Sequence, residues 1–366
     1  MNQAYDIVIL GLSITSSWGN GHATTWRSLV KGLSARGRRV LFLERERPWY
    51  TANRDLDDFP YCDVRLYSSL RELHEQYASA VGRAGAVIVG SYVPDGVDVS
   101  GWVLQTARGV CAFYDIDTPV TLAALQRGDC DYVTADLVPK FALYLSFTAG
   151  PVLQQLQARF GARRAVPLYC SVDVDEYRPL AQPCSVDLGY MGTYSHDRQP
   201  KLQTLLLDVA RNLPTQRFVV AGAQYPRDLV WPANVRHVEH LPPTEHRQFY
   251  GAQRFTLNLT RADMVACGYS PSVRLFEAAA CGVPAVSDEW AGLTEVFHVD
   301  HEILVARENN DVIDILQSLP EARRSELAAA ARQRALTAHS GVHRAAELDA
   351  HLESASTNWL PRAVTA

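Results

Sequence analysis

Residues 261 to 277 read Arg-Ala-Asp-Met-Val-Ala-Cys-Gly-Tyr-Ser-Pro-Ser-Val-Arg-Leu-Phe-Glu. Ser270 is of the type that caps a helix, Pro271 suits a first helical position, and Gly282 stands where a C-terminal glycine belongs. A helix starting there offers unpaired amides around Ser270, Ser272 and Val273 and the positive end of its dipole, which suits a diphosphate. Arg261 and Arg274 would bring positive charge to the same place. Glu277, two turns in, has a carboxylate that can accept both hydroxyls of a ribose. The same residues also fit a capped core helix with Glu277 solvated and the arginines in surface ion pairs; spacing alone does not separate the readings. A second small-residue loop, Gly192-Thr193-Tyr194, is followed by Arg198, whose guanidinium can bind a diphosphate bidentately without a metal.

Near the start, Trp18-Gly19-Asn20-Gly21-His22 opens a helix. An imidazole there titrates near neutrality and could take a proton from an acceptor hydroxyl, or could simply serve the helix start. Gly11, Gly19 and Gly21 do not fall in the dinucleotide-binding spacing. Asp115 and Asp117 follow a strand-like run; Asp117-Thr118-Pro119 also reads as a helix cap, and Asp115-Ile116-Asp117 imitates a metal-binding Asp-x-Asp. Glu44, Trp49 and Tyr50 follow another strand, where aromatic faces could stack on a sugar or planar aglycone, or pack an interface. His237, His240 and His246 lack metal-ligand regularity, so no metal site and no cofactor is expected.

These residues need elements to hold them. The chain has 366 residues, 47% apolar and 20% charged, with a formal charge of -5. That is globular composition for about two domains, without the basic excess that nucleic acid demands. Seven scattered cysteines form no close pair, which reads as thiols in a reducing compartment. No apolar run approaches the roughly 18 to 20 residues that span a bilayer, and no signal peptide is evident, so a cytoplasmic protein is expected.

Strand-like runs at 6–10, 39–43, 86–89, 110–114 and 143–147 alternate with amphipathic stretches. The pattern restarts with 186–191, 218–221, 235–238, 255–259, 284–287 and 303–305. Alternation of this kind predicts two parallel-sheet α/β halves. The Pro- and acid-containing stretch 166–183 separates them. The expected domains are 1–170, 184–335 and a helical tail, 336–366, able to pack back on the first half. Parallel sheets bind ligands at the carboxyl ends of their strands, so two facing halves would form a cleft.

Ser-Val-Arg-Leu-Phe-Glu-Ala-Ala-Ala-Cys-Gly-Val-Pro-Ala-Val-Ser-Asp, residues 272–288, resembles the C-terminal signature of GT-B glycosyltransferases: a glutamate, seven residues, a second glutamate, then Ala-Cys-Gly-x-Pro. Glu277 matches the second glutamate, which in that group holds the donor ribose. At the first stands Tyr269, where retaining members place a glutamate against the transferred sugar. LGYMGTYSHDRQP, FVVAGAQYP and LNLTRADMVACGYSPSVRLFEAAACG are similar to a CgeB-like (spore-maturation) subset. SITSSWGNGHATTWRSL, FLERERPWY and FYDIDTPVT have the character of its acceptor-side half.

The resemblance implies two Rossmann-like domains, the second binding a nucleoside diphosphate sugar, UDP- or TDP-linked. Gly192, Thr193, Arg198, Arg261, Tyr269, Ser270, Ser272, Val273, Arg274 and Glu277 would line the donor site. His22 would be the base of an inverting enzyme, oriented by Asp115 or Asp117, with Trp18, Asn20, Gly21, Glu44 and Trp49 on the acceptor side. The implied reaction is metal-independent transfer of a hexosyl group to a hydroxyl or amine of a small molecule or cell-surface glycan. The alternatives are a nucleotide-sugar epimerase on the same fold and a catalytically silent nucleotide-sugar-binding partner.

Overall fold

The computed structural model describes residues 4–56 and 58–358. The chain divides into two compact units, Met1–Ser171 with Gly341–Ala366, and Val172–Ser340.

The first unit is built on seven strands: β1 (Ile7–Gly11), β2 (Val40–Arg45), β3 (Asp63–Tyr67), β4 (Ala86–Gly90), β5 (Val110–Asp115), β6 (Leu143–Ser146) and β7 (Ala165–Pro167). They lie in the order β3-β2-β1-β4-β5-β6-β7, every neighbouring pair parallel. β1 and β4 are buried along their whole length, as strands covered by helices on both faces must be. Helix His22–Ala35 follows β1, and the long helix Gly341–Asn358 packs along it.

The second unit has six strands: β8 (Val186–Met191), β9 (Phe218–Ala221), β10 (Val235–Val238), β11 (Gln253–Asn258), β12 (Ala285–Ser287) and β13 (Leu304–Val305). Their order is β10-β9-β8-β11-β12-β13, again all parallel. Three bounds, those of β8, β9 and β10, coincide with the sequence reading. The helix expected over 200–212 is helical throughout but passes through a π turn at Gln203–Leu207, which puts Leu205, Leu206 and Leu207 all in the core.

In both sheets the strand order reverses beside the first strand, between β1 and β4 and between β8 and β11. A crevice for ligand opens outside the carboxyl ends at such a point. Helix Glu321–Ala338 and the C-terminal helix close the chain, and no helix among the described residues is long and apolar enough to cross a membrane.

Candidate functional site

At the reversal point of the second sheet, β8 ends in Met191 and runs into Gly192-Thr193-Tyr194, while β11 leads through Arg261 to helix Val273–Ala280. This helix starts two residues later than expected: the N-cap is Ser272, and Ser270 instead turns its hydroxyl to the carbonyl of Gly268 at 2.9 Å. Gly268 (φ 66°) and Tyr269 (φ 52°) both sit in the left-handed region, so the chain reverses before Pro271 and the helix cannot start earlier. The Ser272 hydroxyl accepts Arg274 Nε (2.9 Å) and no side chain caps the helix; the Leu275 amide bonds back to the Ser272 carbonyl at 3.1 Å, which leaves the Val273 and Arg274 amides to face an anion.

Three guanidiniums converge here. Arg274 donates Nη1 to the Met191 carbonyl and lies over the Tyr190 ring at 5.9 Å. Arg198 donates Nη2 to the Thr193 carbonyl at 2.6 Å, while its Nε is buried without a hydrogen-bond partner. Burial, followed by the positive charges of Arg274 and Arg261, holds the Arg198 guanidinium below its ordinary range. Among the described residues no carboxylate forms an ion pair with Arg198, Arg261 or Arg274. Gly192 admits the cluster: a Cβ there would meet Tyr190 Oη and, at 2.7 Å, Arg274 Nη1. The Tyr225 hydroxyl holds the Gly192 carbonyl at 3.0 Å.

Tyr269 is fixed by its amide on the Ala291 carbonyl (2.5 Å) and by its ring over Gly292, where any Cβ would strike it. Glu277 points inward. It is 2% exposed and accepts the Tyr250 hydroxyl at 3.0 Å; burial and this carboxylate push the Tyr250 phenol well up, keeping it a donor.

At the reversal point of the first sheet, several expected ligand contacts prove to be internal. Glu44, 1% exposed, accepts Ser13 Oγ (2.8 Å), Ile14 N (2.7 Å), Thr15 N (3.1 Å) and Thr15 Oγ1 (2.7 Å). Four donors occupy its two oxygens, so it shapes the loop after β1 instead of meeting a ligand. Asn20 is corrected likewise: its amide donates to the Ser13 and Ser16 carbonyls (3.3 and 3.1 Å), and its Oδ1 accepts from His22 N at 3.1 Å. Gly21 is exposed at the helix N-cap. Trp18 and Trp49 are 49% and 48% exposed, with Arg47 over the Trp49 ring at 5.7 Å.

The expected direct pairing of His22 with Asp115 or Asp117 is not formed. His22 Nδ1 is buried without a hydrogen-bond partner, and burial pushes its pKa down to about 4. Asp115 is fully buried, held by Tyr144 Oη (2.6 Å) and Thr121 Oγ1 (2.7 Å); its pKa rises to about 6 through burial, against the pull of these donors. Asp117 Oδ2 accepts Tyr92 Oη at 3.1 Å, and the Tyr92 ring meets the His22 ring edge-on at 5.5 Å. Tyr92, which the sequence reading missed, thus joins His22 to Asp117, and the Asp117 amide in turn donates to Asp115 Oδ1 at 3.2 Å. The signal for Tyr92 was Pro94-Asp95-Gly96, turn residues closing the loop after a fully buried strand. Asp115, enclosed, does not offer the open carboxylate of an Asp-x-Asp metal site. No group of three or more His, Cys, Asp or Glu among the described residues is placed to hold a metal.

Residues 198–350 match the family model described as glycosyl transferase-like. No curated protein matches the chain. Sucrose-phosphate synthase from Thermosynechococcus elongatus is similar in structure at 14% identity and TM-score 0.67, covering 97% of this chain and 100% of that one. Anabaena Alr3699/HepE, solved with UDP and glucose, gives 13% and 0.69 over 96% and 100%. An α-glucosyltransferase, solved with UDP-glucose and DNA containing an abasic site, gives 11% and 0.68 over 96% and 100%.

The fold is GT-B. Both parallel sheets of the GT-B chain therefore have counterparts in these structures, and the glycosyltransferase-like match covers the guanidinium cluster from Arg198 onward.

Proposed function

We propose that the protein is a glycosyltransferase of the CgeB-like group that moves a hexosyl unit from a nucleoside diphosphate sugar to an acceptor hydroxyl or amine, without a metal ion. The observation that carries this reading is the convergence of Arg198, Arg261 and Arg274 beside a glycine-lined strand end and an uncapped helix start, with no carboxylate to neutralise them. Arg198 and Arg274 are half-buried and Arg261 is exposed; partly desolvated like charges brought together repel unless an anion completes them, and a diphosphate supplies that charge. The same groups then stabilise the charge that grows on the leaving diphosphate, the work a metal does elsewhere. Structural neighbours solved with UDP or UDP-glucose support a uridine donor, with a thymidine donor second.

Unit two would bind the donor, with Glu277 toward the ribose and Tyr269 near the sugar. Unit one would bind a small-molecule or glycan acceptor, with the His22 imidazole, kept neutral by burial, as the candidate proton acceptor. The free cysteines agree with a reducing cytoplasmic setting.

A thermal-shift series with UDP, TDP, GDP and ADP tests the donor site. A ligand at about 100 times its Kd adds roughly 2.7 kcal/mol. One diphosphate, UDP foremost, should raise the melt, and Arg198→Ala should abolish the rise. Glu277→Gln, which keeps an acceptor for Tyr250, should weaken the response by about tenfold in Kd, near the 1.4 kcal/mol of one lost polar contact. No shift with any of the four would remove the donor reading.

A further inference from the structure

Two tyrosines from different segments of the second unit meet at Glu277. Tyr250 lies on helix Pro243–Gly251 and gives its hydroxyl proton to Glu277 Oε2 at 3.0 Å. Tyr177 comes from the connecting stretch before β8. Burial, then the charge of Glu277 and a hydrogen bond to it, push the Tyr177 phenol well up, so it too remains a donor. All three side chains are buried. On the other helix Arg274 and Glu277 are three residues apart and share a face, about 4.5 Å of rise between them. The positive charge of Arg274 also reaches Tyr250. The carboxylate therefore stands beside a guanidinium of the diphosphate cluster, at the spacing of a ribose from its own diphosphate.

Tyr177 has a second neighbour. His246, four residues before Tyr250 and on the same face of its helix, places Nδ1 3.0 Å from the Tyr177 hydroxyl and Nε2 3.3 Å from the Leu241 carbonyl. A carbonyl only accepts, so in a neutral ring Nε2 carries the proton and Nδ1 is an acceptor. The single Tyr177 proton then has two takers, Nδ1 and Glu277. An ionised carboxylate has about four lone-pair sites. The two phenols fill two of them and leave two, the number that the vicinal hydroxyls of a ribose require. A carboxylate free to turn would offer those sites in no fixed direction, whereas donors arriving from two segments hold its plane.

We infer that Tyr177 and Tyr250 position Glu277 so that its remaining lone-pair sites take the 2′- and 3′-hydroxyls of a ribose, with His246 competing for the Tyr177 proton. The inference rests on the donor reading above and adds to it the residues that make the site select a ribonucleotide over a deoxyribonucleotide. Tyr177, Tyr250 and His246 act through Glu277 and are positioning residues.

The test is calorimetric titration of the full chain with UDP, GDP and ADP, each beside its 2′,3′-dideoxy analogue. At least one ribonucleotide should bind about 100-fold more tightly than its analogue, about tenfold for each hydroxyl. Tyr177→Phe and Tyr250→Phe should each cut that preference to about tenfold and leave the Kd of the dideoxy analogue unchanged, since the diphosphate contacts stay. His246→Leu, which leaves Glu277 as the one taker of the Tyr177 proton, should keep the preference or widen it. A role in packing alone would weaken the ribonucleotide and its analogue alike, so equal weakening in Tyr177→Phe, or an undiminished preference, overturns the positioning role. A preference lost in His246→Leu overturns the competition. Equal binding of ribonucleotide and analogue by the wild type leaves the donor site standing but removes Glu277 as the ribose acceptor, and this inference with it. Binding of none of the six removes the donor reading itself.

Discussion

Asp115 and His22 answer to burial in opposite senses. Asp115 is pushed up to about 6 from 3.8, so the folded chain holds its proton more tightly than the unfolded one. Its contribution is therefore intact below pH 3.8 and is lost as pH rises through 6, at a cost of about 3 kcal/mol by neutrality. His22 is pushed down to about 4 from 6.5; its contribution is intact above 6.5 and is lost as pH falls through 4. The windows overlap, and in the wild type the slopes oppose. Asp115→Asn should gain up to about 3 kcal/mol over the wild type between pH 4 and 7 in urea melts, with its own stability rising with pH. His22→Ala should show the reverse slope, smaller because the His22 side chain keeps some contact with water. Parallel profiles for both variants would mean that neither group is buried in solution as it is here.

The loop after β1 shows how an element can depend on a distant residue. Residues 13–15 have no regular structure of their own, and Glu44 at the end of the neighbouring strand ties three of their donors and the Thr15 amide to one carboxylate. Glu44→Gln replaces an oxygen that accepts two of them with an amide that donates, so the variant should lose about 2–3 kcal/mol, and the Ile14 and Thr15 amides should exchange faster. Unchanged exchange would place the organising force elsewhere. Glu44 and Asn20 were legible as polar residues at strand and helix ends, but their direction was not, since ligand and loop ask for the same side chains. The buried strands β1, β4 and β9 were readable because coverage on both faces leaves uninterrupted apolar runs. β3, with Asp63 and Arg65, and β7, three residues ending in Pro167, were missed because edge strands carry charge and proline. Arg198, Arg274 and Glu277 could be singled out as candidates because a glycine loop and a helix start have local signatures. The tyrosines at positions 92 and 177 could not, because their partners Asp117 and Glu277 are joined to them only by the fold.

At the scale of the whole molecule, the first unit is made of two separate stretches of chain. Its last helix, Gly341–Asn358, lies on helix His22–Ala35 with backbone against backbone: a Cβ on Gly32 would fall on the Gly341 carbonyl, and one on Gly341 on the Ser28 carbonyl. The contact is held at its far end by Asp349, 4% exposed, which accepts Arg36 Nε at 2.7 Å and Arg38 Nε at 3.0 Å. Neither glycine signals this in the sequence, where a glycine inside a helix merely lowers propensity. Gly32→Ala should cost about 3 kcal/mol or more, because main chain cannot yield as a side chain can. The order of synthesis then matters, because the first unit lacks a helix until the second has been made. Residues 172–340 are continuous and have their own core, so this fragment should fold alone and keep its thermal response to the nucleoside diphosphate. Residues 1–171 alone should bind a hydrophobic dye and melt without cooperativity, since the apolar face of helix His22–Ala35 is then uncovered. Adding residues 341–366 through a short linker should restore a sharp transition. A cooperative melt of 1–171 without them would show that the last helix decorates the unit and does not complete it.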